Sequence, residues 1–480
     1  MKGSKKSSST RFSDKLSRLL GLVLLIGLIL IIPLFFTVPI RANNAPVVQT
    51  TPTAYTTLTP LPGEESLPTL PAPTSIIVRG KKPSTCRFPL PHTRAVESVP
   101  EDYIFSEPQE PLPPEDSLIE IVEWLPDNQR ALLVESYDDV TTGEYKQDIK
   151  LLNPQTGETR IYASRQPGSG VRELPAWVPS LNAVIYPETR LLKAKHENGM
   201  ILPPYEFERQ LLVSRGDPAN LQILENAHLS ADNMSTFSVT VRPGGDQIVY
   251  RNQVDKQFSK KDNSLRSQPP VAFDPTEWDY RGSRGAFPTF EVSYLTAWRP
   301  GSSQIFLYTY GGPDMGYTLL LDANSGKVCE LDLDGWALLG RWSPNGRYLA
   351  IIRVQEPSFP VSSTDLVVLD TATGQTYKTD VVSQEAVGNH SVNGIAWAPD
   401  NSHILVLGRT LSFPGCSPDC QDDTRLYLVD FQTGQVSSIL PEKQFTANDP
   451  GTNLAWSPDG SKVLALCPNL CLISVQRNNK

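Results

Sequence analysis

The sequence predicts an all-β chain folded as a β-propeller of seven blades, or six, behind one N-terminal transmembrane helix and a Pro/Thr-rich linker. Three observations carry that prediction. A Trp-x-Pro turn recurs along the last three quarters of the chain, a Gly-closed hairpin stands between several of its copies, and an uncharged apolar run lies near the N-terminus.

The turn comes first. Its copies begin at Trp124, Trp177, Val241, Trp298, Trp342, Trp397 and Trp456, and only the third lacks its Trp. Their prolines (Pro126 to Pro458) lie 53, 64, 57, 44, 55 and 59 residues apart. That period suits propeller blades with insertions. After each Pro comes a reversal such as Asp459-Gly460, Asn345-Gly346 or Asp400-Asn401. Pro presets φ, and Asp, Asn and Gly accommodate the rest of a tight turn. A largely apolar strand follows, as in Tyr348–Ile352, His403–Leu407, Lys462–Leu466 and Gln247–Tyr250.

The hairpin signal is an Asp or Asn after a strand, then a turn closed by Gly. It occurs at Asn153–Gly157, Asp322–Gly326, Asp370–Gly374 and Asp430–Gly434. Each unit therefore has four strands, the content of one blade. The last unit stops one strand short. A segment upstream of Trp124 is expected to supply it, within Ser75–Val78 or Asp102–Phe105, because an open edge would leave the ring unsealed.

Residues 1–18 are basic and read as a cytoplasmic tail. Leu19–Ile40 holds 22 uncharged residues, long enough to span a hydrocarbon core of about 30 Å. The positive flank places the rest of the chain outside the cytoplasm. The alternative, a cleaved signal peptide, has a shorter apolar run and an A-x-A site as its usual marks. Residues 41–116 read as a Pro/Thr-rich disordered stalk and propeller lead-in, and 117–476 as the propeller. The expected location is thus the cell membrane, single-pass, with an extracytoplasmic propeller.

A net charge of −9 with a pI near 5.3, and no basic stripe, argues against nucleic acid as a partner. Six cysteines in an extracytoplasmic chain suggest disulfides. Cys416 and Cys420, and Cys467 and Cys471, each flank a short loop and are candidate local staples; Cys86 and Cys329 remain to pair. Four thiolates gathered as a zinc site are the alternative.

The Trp-x-Pro turns and Gly-closed hairpins fall on one face of a propeller. The expanded connections, Pro187–Arg209, Asn252–Phe290, Val354–Thr364 and Gly408–Thr424, share the other. The richest insertion, Asn252–Phe290, carries Trp278, Tyr280, Arg281, Arg284 and Phe287, residue types that anchor interfaces. These five are the candidate binding residues. The plainer reading is that they cover blade edges, since the hairpin of the third unit should lie there and is not recognisable.

No G-x-S-x-G or H-E-x-x-H motif occurs, and no catalytic, cofactor or metal residue is assigned. Glu330–Gly335 alternates acids with leucines and reads as a half-buried strand before a turn rather than a calcium loop. His403, in a strand after a turn, reads as structural. Asp127, Asp400 and Asp459 read as turn residues bonded to local backbone.

The pattern Trp-Ser-Pro-Asp-Gly, strand, then Leu-x-Leu-x-Asp-x-x-Thr-Gly resembles the TolB-type, WD-like (PD40) propeller repeat. That repeat also occurs in the propellers of the prolyl oligopeptidase and dipeptidyl peptidase IV families. Trp456–Gly460 fits fully, Trp342–Gly346 with Asn for Asp, and Trp397–Asn401 and Trp124–Asn128 in part. The resemblance covers about residues 118–475 and implies a fold. The repeat residues are structural, so no peptidase activity follows from it. The functional expectation is a tethered module that binds a protein or cell-envelope component on its long-loop face. The alternative is a hydrolase or lyase using loop carboxylates at the channel mouth.

Overall fold

The computed structural model describes residues 84–87, 102–112 and 117–478, the last with gaps of which the longest are 268–291, 412–422 and 355–363. The described residues outside 195–203 belong to one compact unit, and it is a β-propeller. Leu19–Ile40 and the Thr/Pro-rich stretch lie outside the described residues. Among those described, no helix is long and apolar enough to cross a membrane.

Two short strands precede the repeats, β1 (Ser84–Thr85) and β2 (Asp102–Phe105). Sheet I holds β3 (Leu118–Trp124), β4 (Ala131–Asp139), β5 (Glu144–Asn153) and β6 (Glu158–Arg165). Sheet II holds β7 (Ala176–Val178), β8 (Ala183–Glu197), β9 (Met200–Ser214) and β10 (Gln222–Ser230). Sheet III holds β11 (Asn233–Val241), β12 (Ile248–Lys256) and β13 (Asp262–Ser267). Sheet IV holds β14 (Val292–Trp298), β15 (Gln304–Tyr310), β16 (Gly316–Asp322) and β17 (Val328–Glu330), with β1 added in parallel at its outer edge. Sheet V holds β18 (Trp336–Trp342), β19 (Tyr348–Val354), β20 (Thr364–Asp370) and β21 (Thr376–Thr379). Sheet VI holds β22 (Asn389–Trp397), β23 (His403–Leu411), β24 (Asp423–Asp430) and β25 (Gln435–Ile439). Sheet VII holds β26 (Leu454–Trp456), β27 (Lys462–Cys467) and β28 (Asn469–Asn478), closed by β2.

Six sheets thus have four or five strands and are complete blades. The third unit, which lacks its Trp, has three strands among the described residues. That degenerate unit is why the sequence leaves the blade number open between seven and six.

The core is a set of seams between sheets. Seven apolar clusters each join two neighbours, from I–II (Leu125, Ile149, Trp177, Tyr186) round to VII–I (Trp124, Leu133, Leu464, Leu472). Every repeat Trp packs against the sheet before its own: Trp342 against Phe306 and Leu320, Trp397 against Ile352 and Val368, Trp456 against Leu405 and Leu426. The residue ahead of the Trp packs the other way. Ala396 joins the VI–VII seam and Ala455 the VII–I seam. Period-2 alternation on the innermost strand therefore couples each blade to both neighbours.

The turn that follows locks the same joint. Gly346 (φ +70°) and Gly460 (φ +77°) occupy left-handed backbone, and a Cβ on Gly346 would stand 2.6 Å from the Pro300 carbonyl oxygen of the preceding turn. Where Asn replaces Gly, at Asn128 (φ 60°) and Asn401 (φ 63°), its side chain accepts a hydrogen bond from the preceding turn instead. Asn345 N–H donates to Asn401 Oδ1 at 2.8 Å, and Asp459 N–H to Asn128 Oδ1 at 2.9 Å. Short-range Asx bonds hold each turn, as at Asp127, Asp400 and Asp459.

Of the two segments expected to close the ring, Asp102–Phe105 does so. It pairs antiparallel with β28, Asp102 opposite Asn478 and Phe105 opposite Val475. Ser75–Val78 lies outside the described residues. Tyr103 packs edge-on against Trp456 and donates its hydroxyl to Asp400 Oδ2 at 2.7 Å. Asp400 Oδ2 also receives His403 Nδ1 at 2.7 Å, so His403 is structural, and the closing strand is pinned to blade VI as well as blade VII.

One expected loop is largely strand, and another is strand in part. Pro187–Arg209 falls within β8 and β9, and Asn252–Phe290 contributes the end of β12 and all of β13. An Asn198-Gly199 dipeptide stands between β8 and β9, a two-residue hairpin signal that explains the first correction. Cys86 is bonded to Cys329 (Cα–Cα 4.8 Å), tying the lead-in to blade IV, and Cys467 to Cys471 across the β27–β28 turn. Cys416 and Cys420 lie outside the described residues. With Cys467 and Cys471 oxidised, a site of four free thiolates does not form.

Burial alone would raise the Asp400 carboxyl, but bonds from His403, Ser402 and Tyr103 outweigh it and hold it well below the carboxylate range. Its contribution is therefore full above the unfolded value near 3.8 and is lost as pH falls through the lower folded value. Tyr103→Phe is expected to cost about 1–3 kcal/mol in urea unfolding at neutral pH. Asp400→Asn should flatten the acid limb of the stability profile. An unchanged midpoint in both variants would show that this clasp carries no load. Gly346→Ala is expected to lower stability by about 1–2 kcal/mol through left-handed strain, with the clash on Pro300 added; calorimetry checks it.

Candidate functional site

The antiparallel registers place all Trp-x-Pro turns and Gly-closed hairpins at one end of the sheets. The second-to-third-strand and blade-to-blade connections leave at the other. The first end is sealed by the turn-to-turn contacts above. The second end is where the second-to-third-strand connections expand, whereas 268–291 departs from the first end, since Ser267 lies opposite Val249 beside the turn between Val241 and Ile248. Trp278, Tyr280, Arg281, Arg284 and Phe287 lie in 268–291, outside the described residues, so the structure neither gathers nor disperses them.

Beneath this expanded rim the sheets are stiffened by buried polar networks. Arg165 donates to the Pro187 carbonyl at 2.6 Å and to Gln147 Oε1 at 3.1 Å, bridging blades I and II. Burial lowers its guanidinium to about 10, against the opposing fields of Glu120, Tyr186 and Glu188. Glu135 pairs with Lys150 and accepts from Ser117 Oγ at 2.7 Å. In blade V, Arg353 grips Asp365 with both nitrogens (3.0 and 2.6 Å) and donates to the Leu333 carbonyl at 2.7 Å. Paired this way, buried charges fix geometry. They give the rim a rigid base.

Two charged side chains stand on innermost strands, and sequence reasoning missed them. The residue ahead of the Trp, or its equivalent, is Ala176, Thr240, Ala297, Ala396 and Ala455 in five units, but Glu123 and Arg341 in the other two. Glu123 Oε1 accepts the Trp177 N–H at 2.9 Å. Arg341 Nη2 donates to the Gly451 carbonyl at 3.0 Å, and its own carbonyl accepts Trp397 Nε1 at 2.9 Å.

Removal from bulk water raises the Glu123 carboxyl above its ordinary value, and the Trp177 N–H and the Arg341 charge only partly offset this. The connection into blade VII packs on blade V, since a Cβ on Gly451 would meet Leu339 at 2.9 Å. The signal was present in the sequence, as two charged exceptions at an otherwise small repeat position.

Among the described residues no group of three or more His, Cys, Asp or Glu side chains is placed to hold a metal ion. Leu331 and Leu333 are buried and Asp332 is exposed, the alternation of a half-buried segment.

No protein-family model matches the chain, and no curated protein is detectably similar in sequence. Several solved structures are similar in fold. An oligogalacturonate lyase from Vibrio parahaemolyticus aligns at 12% identity over 79% of this chain and 97% of its own, with a TM-score of 0.45. An oligogalacturonate lyase in complex with manganese gives 12%, 79%, 97% and 0.44. A prolyl endopeptidase gives 12% identity over 75% of this chain and 47% of its own, with a TM-score of 0.39. At these values the activities of those proteins stay with them.

Because Glu123 holds its proton to higher pH folded than unfolded, its burial cost is absent below the unfolded value near 4.5 and grows as pH rises through the folded value. Glu123→Gln is therefore expected to raise the melting temperature more at pH 8 than at pH 4.5. Equal shifts at both pH values, measured by calorimetry, would contradict this placement.

Proposed function

We propose that this chain is a membrane-tethered, extracytoplasmic propeller that holds a protein or cell-envelope ligand on its expanded-loop rim. The observation that carries the reading is the asymmetry of the ring. One end is closed by short turns that hook into one another, and the expanded second-to-third-strand connections of blades II, III, V and VI leave from the other, above a rigid polar base. Loops on a stiff scaffold are the usual recognition arrangement. Leu19–Ile40 supplies the tether and the Thr/Pro-rich stretch the height above the membrane. The acidic chain, at −9, leaves nucleic acid aside as the ligand.

The test is retention of a partner. Immobilised residues 74–480 are exposed to the native envelope fraction, and what is held is identified by mass spectrometry. One partner, competed away by the free ectodomain, supports the reading. A well-folded ectodomain that holds nothing sinks it and turns attention to a substrate screen for a hydrolase or lyase.

Because β12 and β13 belong to sheet III, the informative truncation removes 268–290 and spares them. Replacing that stretch by a short Gly/Ser linker is expected to weaken partner binding at least about tenfold, the loss of one interface anchor of about 1.4 kcal/mol or more. Thermal stability should stay within a few degrees. Undiminished binding would clear Trp278, Tyr280, Arg281, Arg284 and Phe287 of the role.

A further inference from the structure

We propose that the Cys86–Cys329 disulfide is an exchange site for a dithiol reductant, and that its reduction unlatches the lead-in from blade IV while the ring stays closed. This goes beyond the rim-binding reading and does not rest on it.

The first argument is that the ring does not need what the disulfide holds. Blade IV has its four strands in β14 to β17, and β1 is a fifth. Blades I, II, V and VI stop at four strands among the described residues. Besides the disulfide, β1 is held by the pairing of Ser84 with Cys329 and of Thr85 with Glu330. The Cys86 N–H adds a bond to the Glu330 carbonyl at 2.9 Å. Two paired residues fall short of the roughly three to ten of an ordinary strand. The covalent bond therefore sets whether this segment stays docked.

The second is access. Cys86 and Cys329 lie at the outer edge of the blade, both half-buried, and Thr85 and Arg87 on either side of Cys86 are exposed. The other disulfide among the described residues differs. Cys471 is buried, and ladder bonds of the β27–β28 hairpin hold it and Cys467 without the covalent bond. Reduction there would release no segment. Reduction at Cys86 changes which parts of the chain are attached to each other.

The third is chemistry. A thiolate of the reductant attacks one sulfur of the pair, the S–S bond breaks, and the other cysteine leaves as a thiolate. The second thiol of the reductant then attacks the mixed disulfide. It closes the reductant's own disulfide and frees the second cysteine. Two electrons pass to the protein, and two protons end on Cys86 and Cys329. With the latch closed, the chain before Ser84 is attached at blade IV. With it open, that chain is attached first at β2, the strand that seals blade VII. The redox state thus decides which blade bears the N-terminal stretch.

The experiment uses the full-length chain in detergent, with dithiothreitol as the probe. Freed thiols are alkylated at intervals and mapped by mass spectrometry, and amide exchange is followed on the same samples. Cys86 and Cys329 are expected to be alkylated while far-ultraviolet dichroism and tryptophan fluorescence keep their folded values. Exchange at the Cys86 amide should then quicken about tenfold or more, as a freed edge opens locally, while Tyr103 and Ile104 of β2 stay within about twofold. Oxidised dithiothreitol should restore protection at Cys86. The double variant Cys86→Ser with Cys329→Ser should show the fast exchange with no reductant present. Should that variant fail to fold, reduction of the parent chain decides. Loss of the folded signals on reduction would make the disulfide a structural staple and overturn the proposal. So would a Cys86 amide that stays protected once the bond is broken, or a bond that resists dithiothreitol until the chain is denatured.

Discussion

The repeat Trp sits at a seam between two blades. It is driven into the seam with the blade before it, and the residue ahead of it faces the blade after. A four-stranded sheet has two apolar faces and is not stable alone. Each blade of this ring gains its core only from neighbours on both sides, so the ring stands or falls together. The left-handed residue of the following turn belongs to the same joint. Gly346 leaves room for Pro300, and Asn401 and Asn128 replace that contact with a hydrogen bond. Packing at the inner strand and docking at the turn are two parts of one repeated device.

A ring built this way has one weak point, where its ends meet. The chain arrives at blade VII with three strands and completes it with a segment from before the first repeat. Ladder bonds alone would leave an edge strand of four residues. Tyr103 adds an aromatic contact with Trp456 and a bond to Asp400 of blade VI. The Cys86–Cys329 disulfide then fixes the lead-in to blade IV. Closure is thus distributed over three blades, and a pull arriving from the N-terminal side reaches the disulfide before it reaches β2.

Closure also divides the molecule into a sealed end and an open one. The sealed end spends its polar groups on its own turns. At the open end, Arg165, Glu135 and Arg353 are satisfied within and between sheets. The loops above them are therefore free to vary without loosening the scaffold. Glu123 and Arg341 are the places where the innermost strand departs from the repeat's own rule.

The sequence by itself determined the repeat, because Pro, Gly and Asn at fixed offsets dictate local turns and alternation dictates strand faces. Trp456-Ser-Pro-Asp-Gly460 and Asp430–Gly434 read as turn and hairpin from their chemistry alone, and Asp102–Phe105 was one of two segments able to finish the last blade. The long arms of blade II were legible in Asn198-Gly199 and overlooked, since polar residues such as Glu188 and Lys193 gave no alternation to follow. Tertiary structure alone decided which seam each Trp fills, which segment closes the ring, and that the Gly451 connection packs on Leu339 of blade V. These are contacts between residues hundreds of positions apart, or between blades that are not neighbours. Local preference carries no information on such pairs; only closure of the ring brings them together.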